Sequence, residues 1–123
     1  MPAWLLPGPF PAEVPSDERC AITELLNHPA CPGVSLARAR VAPGVATRLH
    51  ALRATAERYV ILEGRGVVEV AGETARVGPG DRVLIPPDAA QRITNTGAAD
   101  LVFDCICTPR FAPEAYVDLE PLR

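Results

Sequence analysis

The sequence predicts an all-β domain, an antiparallel sandwich or barrel, and three observations carry that reading. Short stretches rich in Val, Ile, Leu and Thr recur from about residue 20 to 108. Turn-forming residues separate them at intervals of roughly eight to twelve residues. No stretch shows a competing helical period, although 51–58 is rich in alanine.

Taken in chain order, the expected strands cover 20–26, 34–41, 46–51, 57–62, 66–71, 73–77, 82–85, 90–94 and 100–108. Pro43-Gly44 closes the second, and Gly64-Arg65-Gly66 divides the fourth from the fifth. Ala71-Gly72 turns the fifth into the sixth as a tight hairpin spanning Val67 to Val77. Gly78-Pro79-Gly80-Asp81 and Asn95-Thr96-Gly97 punctuate the remainder. Each turn supplies a residue that tolerates positive φ or presets the backbone for reversal. There is no internal repeat, so one barrel is expected and not a tandem pair.

The chain has 123 residues, enough for one core that needs no disulfides. Its 14 prolines gather in the first 15 residues and at Pro109, Pro113 and Pro121, which suits extended arms at 1–19 and 109–123 around a body at 20–108. Apolar residues make up 48% of the chain, yet no run approaches the roughly 18 needed to span a bilayer. The N-terminus lacks a basic stretch, and its prolines interrupt the apolar run, which argues against a secretory signal and for a cytoplasmic protein. A net charge of −3 with scattered basic residues leaves no footprint for nucleic acid or an anionic membrane surface. A small-molecule partner is expected instead. The cysteines at 20, 31, 105 and 107 match no zinc-binding spacing and are expected to be reduced thiols. Trp4, Phe10, Phe111 and Tyr116 lie in arms too weakly patterned to build their own core. They need a surface to cover, which with the protection of sheet edges predicts a homodimer.

Two motifs stand out. Gly44 is followed by His50, Leu52, Glu57 and Gly64, and the second motif runs from Gly80-Asp81 through Pro86-Pro87-Asp88 to Gln91 and Asn95. Together, over residues 44–95, they resemble the paired motifs of the cupins. The resemblance implies a double-stranded β-helix, a jelly-roll barrel with an interior small-molecule site. It also implies a divalent metal (Fe, Mn, Ni, Zn or Cu) held by three histidines and a glutamate. This chain departs from that cage: Leu52 and Gln91 stand where histidines are usual, and Asp88 stands where glycine is common. His50 and Glu57 are then the catalytic and metal-ligating candidates, with the weak neutral carbonyl of Gln91 as a third ligand.

Strand parity extends the pocket, because residues two apart share a face. His50 brings Leu52 and Arg48; Glu57 brings Tyr59; Gln91 brings Ile93; and Phe103, Cys105 and Cys107 share the face opposite Asp104. Cysteines two apart on one strand have Cα atoms about 6.5 Å apart and parallel side chains, a poor geometry for a disulfide. A buried Glu57 requires a cation, His50 or an arginine to offset it, and an Arg48–Glu57 ion pair is the rival to a metal. His28, in an Asn-His-Pro turn, is expected to be a surface residue, and Arg110 to be solvated or to sit at the barrel mouth.

Three functions compete on this reading. One is a metal-dependent enzyme of dioxygenase, isomerase or lyase type, with the ion on His50, Glu57 and Gln91. The second is a metal-free binding module in which those residues orient a ligand. The third uses His50 as a general base without metal, in the manner of sugar-epimerising cupins.

Overall fold

The computed structural model describes residues 2–120. Met1 of the first arm and residues 121–123 of the second, Pro121 included, lie outside the described residues. Among the described residues eleven strands form two antiparallel sheets. In chain order they are β1 (Val14–Pro15), β2 (Ala21–Leu26), β3 (Ser35–Val41), β4 (His50–Leu52), β5 (Ala56–Glu63), β6 (Gly66–Val70), β7 (Glu73–Val77), β8 (Arg82–Ile85), β9 (Gln91–Asn95), β10 (Leu101–Thr108) and β11 (Tyr116–Asp118). One sheet has the order β1-β2-β3-β10-β5-β8 and the other β11-β4-β9-β6-β7. Among the described residues no helix is long and apolar enough to cross a membrane.

The faces that meet between the sheets bury Val41, Ile61, Val68, Ile93, Leu101 and Phe103, contributed by β3, β5, β6, β9 and β10. Fully burying a side chain of that size stabilises the fold by roughly 1.5–3 kcal/mol. The β6–β7 hairpin forms with Ala71 and Gly72 both at positive φ, 50° and 85°, a reversal that matches the twist of paired strands. Gly64, also at φ 85°, has a second constraint: a Cβ there would lie 2.6 Å from the carbonyl oxygen of Asp100. Only glycine lets the end of β5 approach the start of β10 so closely.

Asn95 ends β9 and closes the following turn. Its amide donates to the carbonyls of Val41 (2.9 Å) and Ala99 (2.8 Å), and its Oδ1 accepts from the Gly97 N–H (2.8 Å). The residue is buried, so these bonds carry backbone groups that water does not reach.

Two expectations change. The strand expected at 46–51 reduces to a single bridge, Ala46 to Thr94, before β4 begins at His50. Between them Thr47 accepts the Ile93 N–H on its hydroxyl (3.0 Å) and the Arg48 N–H donates to the carbonyl of Glu18 (3.2 Å). That irregular backbone breaks the alternation that would have turned Arg48 inward. The arms also contribute strands, since β1 pairs with β2 and β11 pairs with β4. The C-terminal segment crosses β4 after a 3-10 turn at Pro113–Ala115. The alanine-rich stretch becomes β4 and the start of β5, reversed at Ala54 with φ 50°.

Candidate ligand pocket

A cavity of about 290 Å³ is framed by β2, β3, β4, β5 and β10. That is the small end of the range for small-molecule sites, roughly 300–1,000 Å³. Of the residues expected from the sequence, His50, Leu52, Glu57, Tyr59, Phe103, Cys105 and Cys107 line it. Arg48, Gln91 and Ile93 do not. Arg48 turns outward to Asp118 (3.0 Å) and Glu120 (3.3 Å), so the Arg48–Glu57 pair weighed as the rival to a metal does not form. Ile93 has the expected parity but lies deeper, within the apolar core. Gln91, the cross-strand partner of His50, is buried with its side chain near Glu57, and its Oε1 accepts the Tyr59 hydroxyl.

His50 stands on β4 with its ring fixed from three sides. Nδ1 is 2.7 Å from the carbonyl of Arg48, and since a carbonyl only accepts, Nδ1 carries the proton. Tyr116 of β11 stacks on the imidazole with centroids 5.0 Å apart and planes 18° from parallel. Nε2 lies 3.2 Å from Oε1 of Glu18, within ion-pair distance when the imidazole is protonated.

Glu18 is the residue that strand reasoning missed, because it falls in the first arm, in the turn between β1 and β2. No period or motif marks it. Its position depends on neighbours from both arms: Arg19 pairs with Glu120, whose other oxygen accepts the Leu49 N–H at 3.2 Å. Arg48 joins the same cluster through Asp118 and Glu120. Burial raises the Glu18 carboxyl above the ordinary 4.5, and the nearby His50 opposes that shift.

Glu57 is buried on β5. Its Oε2 accepts from the Cys107 thiol at 3.5 Å, and its Oε1 has no hydrogen-bond partner. Burial raises its pKa from 4.5; His50 opposes the rise and Glu18 adds to it. The four cysteines are all free. Cys105 and Cys107 both face the cavity, and Asp104 faces outward to Arg38 at 2.8 Å, as strand parity requires. Burial, reinforced by the charge of Glu57, pushes both thiols up. His28 stays in its exposed turn, accepting the Ala30 N–H, while Arg110 is held by Asn27 (2.6 Å) at the pocket's edge.

A divalent metal on His50, Glu57 and Gln91 does not fit this arrangement. Nε2 of His50 faces Oε1 of Glu18 at 3.2 Å, and the Gln91 carbonyl oxygen serves Tyr59. Among the described residues no three His, Cys, Asp or Glu side chains converge closely enough to share an ion. The altered donor set agrees with this: leucine offers no electron pair, and the glutamine carbonyl, a weak neutral ligand, accepts the Tyr59 hydroxyl instead.

Comparison with known proteins agrees with the barrel. The cupin domain family matches residues 37–108. The uncharacterized protein MJ1618 of Methanocaldococcus jannaschii is 39% identical over 95 residues, 76% of each chain. A predicted oxalate decarboxylase from Thermotoga maritima superimposes with a TM-score of 0.69 at 28% identity, covering 73% of this chain and 80% of that one. An uncharacterized conserved protein with a double-stranded β-helix domain from Klebsiella pneumoniae reaches a TM-score of 0.73 at 16% identity, covering 87% of this chain and 90% of that one.

Proposed function

This chain belongs to the cupin domain family, and from that premise we propose that it is a metal-free small-molecule-binding cupin whose polar centre is the Glu18–His50 pair. The observation that carries the proposal is the 3.2 Å contact between Glu18 Oε1 and His50 Nε2, which sets a carboxyl directly against the imidazole nitrogen a metal would need. The surrounding wall is largely apolar, from Leu52, Tyr59 and Phe103, with few polar groups to fix a ligand's orientation, a composition typical of such sites. The same pair favours proton transfer as a second activity. Nδ1 is anchored on a backbone carbonyl, so His50 presents Nε2 and Glu18 to a ligand as one acid–base unit.

Elemental analysis of protein purified without a histidine tag, then dialysed against several divalent ions, tests the reading. Less than a tenth of an equivalent of metal is expected. A stoichiometric ion whose uptake is lost in His50→Ala sinks the proposal and restores the metalloenzyme.

Two broader features belong to this proposal. A cytoplasmic location is supported by four free thiols. A homodimer is supported by the first arm, where Trp4 is 84% and Phe10 64% exposed. Phe111 and Tyr116 no longer argue for it, because they are used within the chain, at the cavity wall and on His50. Light scattering at micromolar concentration should give twice the chain mass; the mass of one chain refutes the dimer.

A further inference from the structure

We propose that the pocket selects a small organic cation, an ammonium group on an apolar body, with its N–H groups seated on Oε1 of Glu57. The inference deepens the metal-free reading above and depends on it.

Three features lead there. Acidic groups line the cavity from rim to floor: Glu24 is exposed at the mouth, Glu18 is half-buried midway and Glu57 is buried below. No lysine or arginine is among the lining residues, and Arg48 and Arg110 are engaged elsewhere. The only basic group present, His50, is already matched to Glu18. An anionic ligand would meet three carboxyls with no free cation to receive it.

The second feature is independent of charge counting. Glu57 is 7% exposed, lines the cavity and leaves Oε1 without a hydrogen-bond partner. An unmade bond on a buried carboxyl oxygen is costly, so the atom is a standing acceptor that a ligand donor would satisfy. The donors nearby leave that oxygen open: the Tyr59 hydroxyl is spent on Gln91, the Cys107 thiol lies on the other oxygen, and the Gln91 side chain, near enough to favour the charged carboxylate, closes no hydrogen bond to Oε1.

The third feature is the body of the site. Tyr59 and Phe103 pack together with ring centroids 4.6 Å apart, and Phe111 closes the wall. Aromatic faces receive cations as well as apolar surface. A compact arylalkyl or alkyl ammonium therefore matches volume, wall and acceptor together.

Three probes of equal size separate the classes: benzylammonium, benzyl alcohol and benzoate, titrated at millimolar concentration against the full chain and followed by ligand-observed and protein NMR. Benzylammonium should bind at least tenfold more tightly than benzyl alcohol, and benzoate should not bind. Glu57→Gln keeps the shape and removes the charge, so it should abolish that tenfold preference, while Glu24→Gln at the rim should change it less than threefold. Circular dichroism and thermal melting establish that both variants are folded. Benzoate binding as well as benzylammonium, a preference unchanged in Glu57→Gln, or no binding by any probe each overturns the cation inference while leaving the metal-free pocket standing. Displacement of benzylammonium by a stoichiometric divalent metal would instead overturn the metal-free reading itself.

Discussion

The Tyr59 hydroxyl donates to Oε1 of Gln91 inside the barrel, joining β5 to β9 across the gap between the two sheets. Both residues are almost fully buried, at 3% and 1% exposure, so neither polar atom has water as an alternative. The bond explains why a motif position that carries a metal ligand in other cupins here faces a phenol. It also makes the two side chains energetically coupled. Tyr59→Phe and Gln91→Leu should each cost about 1–3 kcal/mol, because each strands a buried partner. The double variant should cost clearly less than the sum, and additive losses in urea unfolding would show the bond contributes nothing.

Glu57 and Glu18 make stability depend on pH in a stated direction. Both carboxyls are raised above 4.5 in the folded state, mainly by burial. Between 4.5 and those raised values the folded protein retains protons that the unfolded chain has released, so stability falls as pH climbs through that window. Glu57→Gln removes one such group. Its melting temperature should exceed that of the wild type above the window, and its decline from pH 4.5 to 8 should be shallower. A wild-type melting temperature that rises over the same range contradicts the assignment.

The contrast between what sequence reading captured and what it missed has a physical basis. Strand existence, the β6–β7 hairpin and the inward face of β10 were legible because alternation and turn chemistry are local. Leu101, Phe103 and Cys107 are buried as parity predicts, and Asp104 faces out. Arg48 escaped because parity assumes an unbroken strand, and the backbone from Thr47 to Leu49 pairs irregularly instead. Glu18 escaped because its role comes from tertiary contacts between the two arms, through Arg19, Glu120 and Arg48, which no local pattern encodes. Gln91 has the inward parity expected of it, but period alone does not reveal a partner such as Tyr59 arriving from the other sheet.

The thiols should be nearly inert in the native state. Cys20 is pushed up to about 11 by burial, and Cys105 and Cys107 are also raised by burial, with Glu57 adding to both. The thiolate is the reactive form, so little is present near neutral pH. Iodoacetamide followed by intact mass spectrometry should find at most one rapid modification, at the half-buried Cys31. Four modifications should appear once the protein is unfolded. Rapid native alkylation of Cys105 or Cys107 would mean a pocket thiol is activated after all.

Placing histidine at positions 52 and 91, where other cupins carry it, should create a strong metal site. Gln91 is the direct cross-strand partner of His50, and Leu52 follows His50 on the same cavity-facing side of β4. Histidines at both positions would put three imidazoles on adjacent strands facing Glu57, the donor set that suits a divalent ion. Leu52→His with Gln91→His, combined with Glu18→Ala to release Nε2 of His50, should take up close to one equivalent of metal by elemental analysis. Uptake should weaken as pH falls through about 6.5, because only unprotonated imidazole coordinates. The variant forfeits the Tyr59–Gln91 bond, so its metal-free form should be less stable by about 1–3 kcal/mol, with added metal recovering part of that loss. If the wild type binds as much metal as the triple variant, the substitutions at 52 and 91 did not abolish the site, and Glu18 is then a ligand and not the partner that occupies His50.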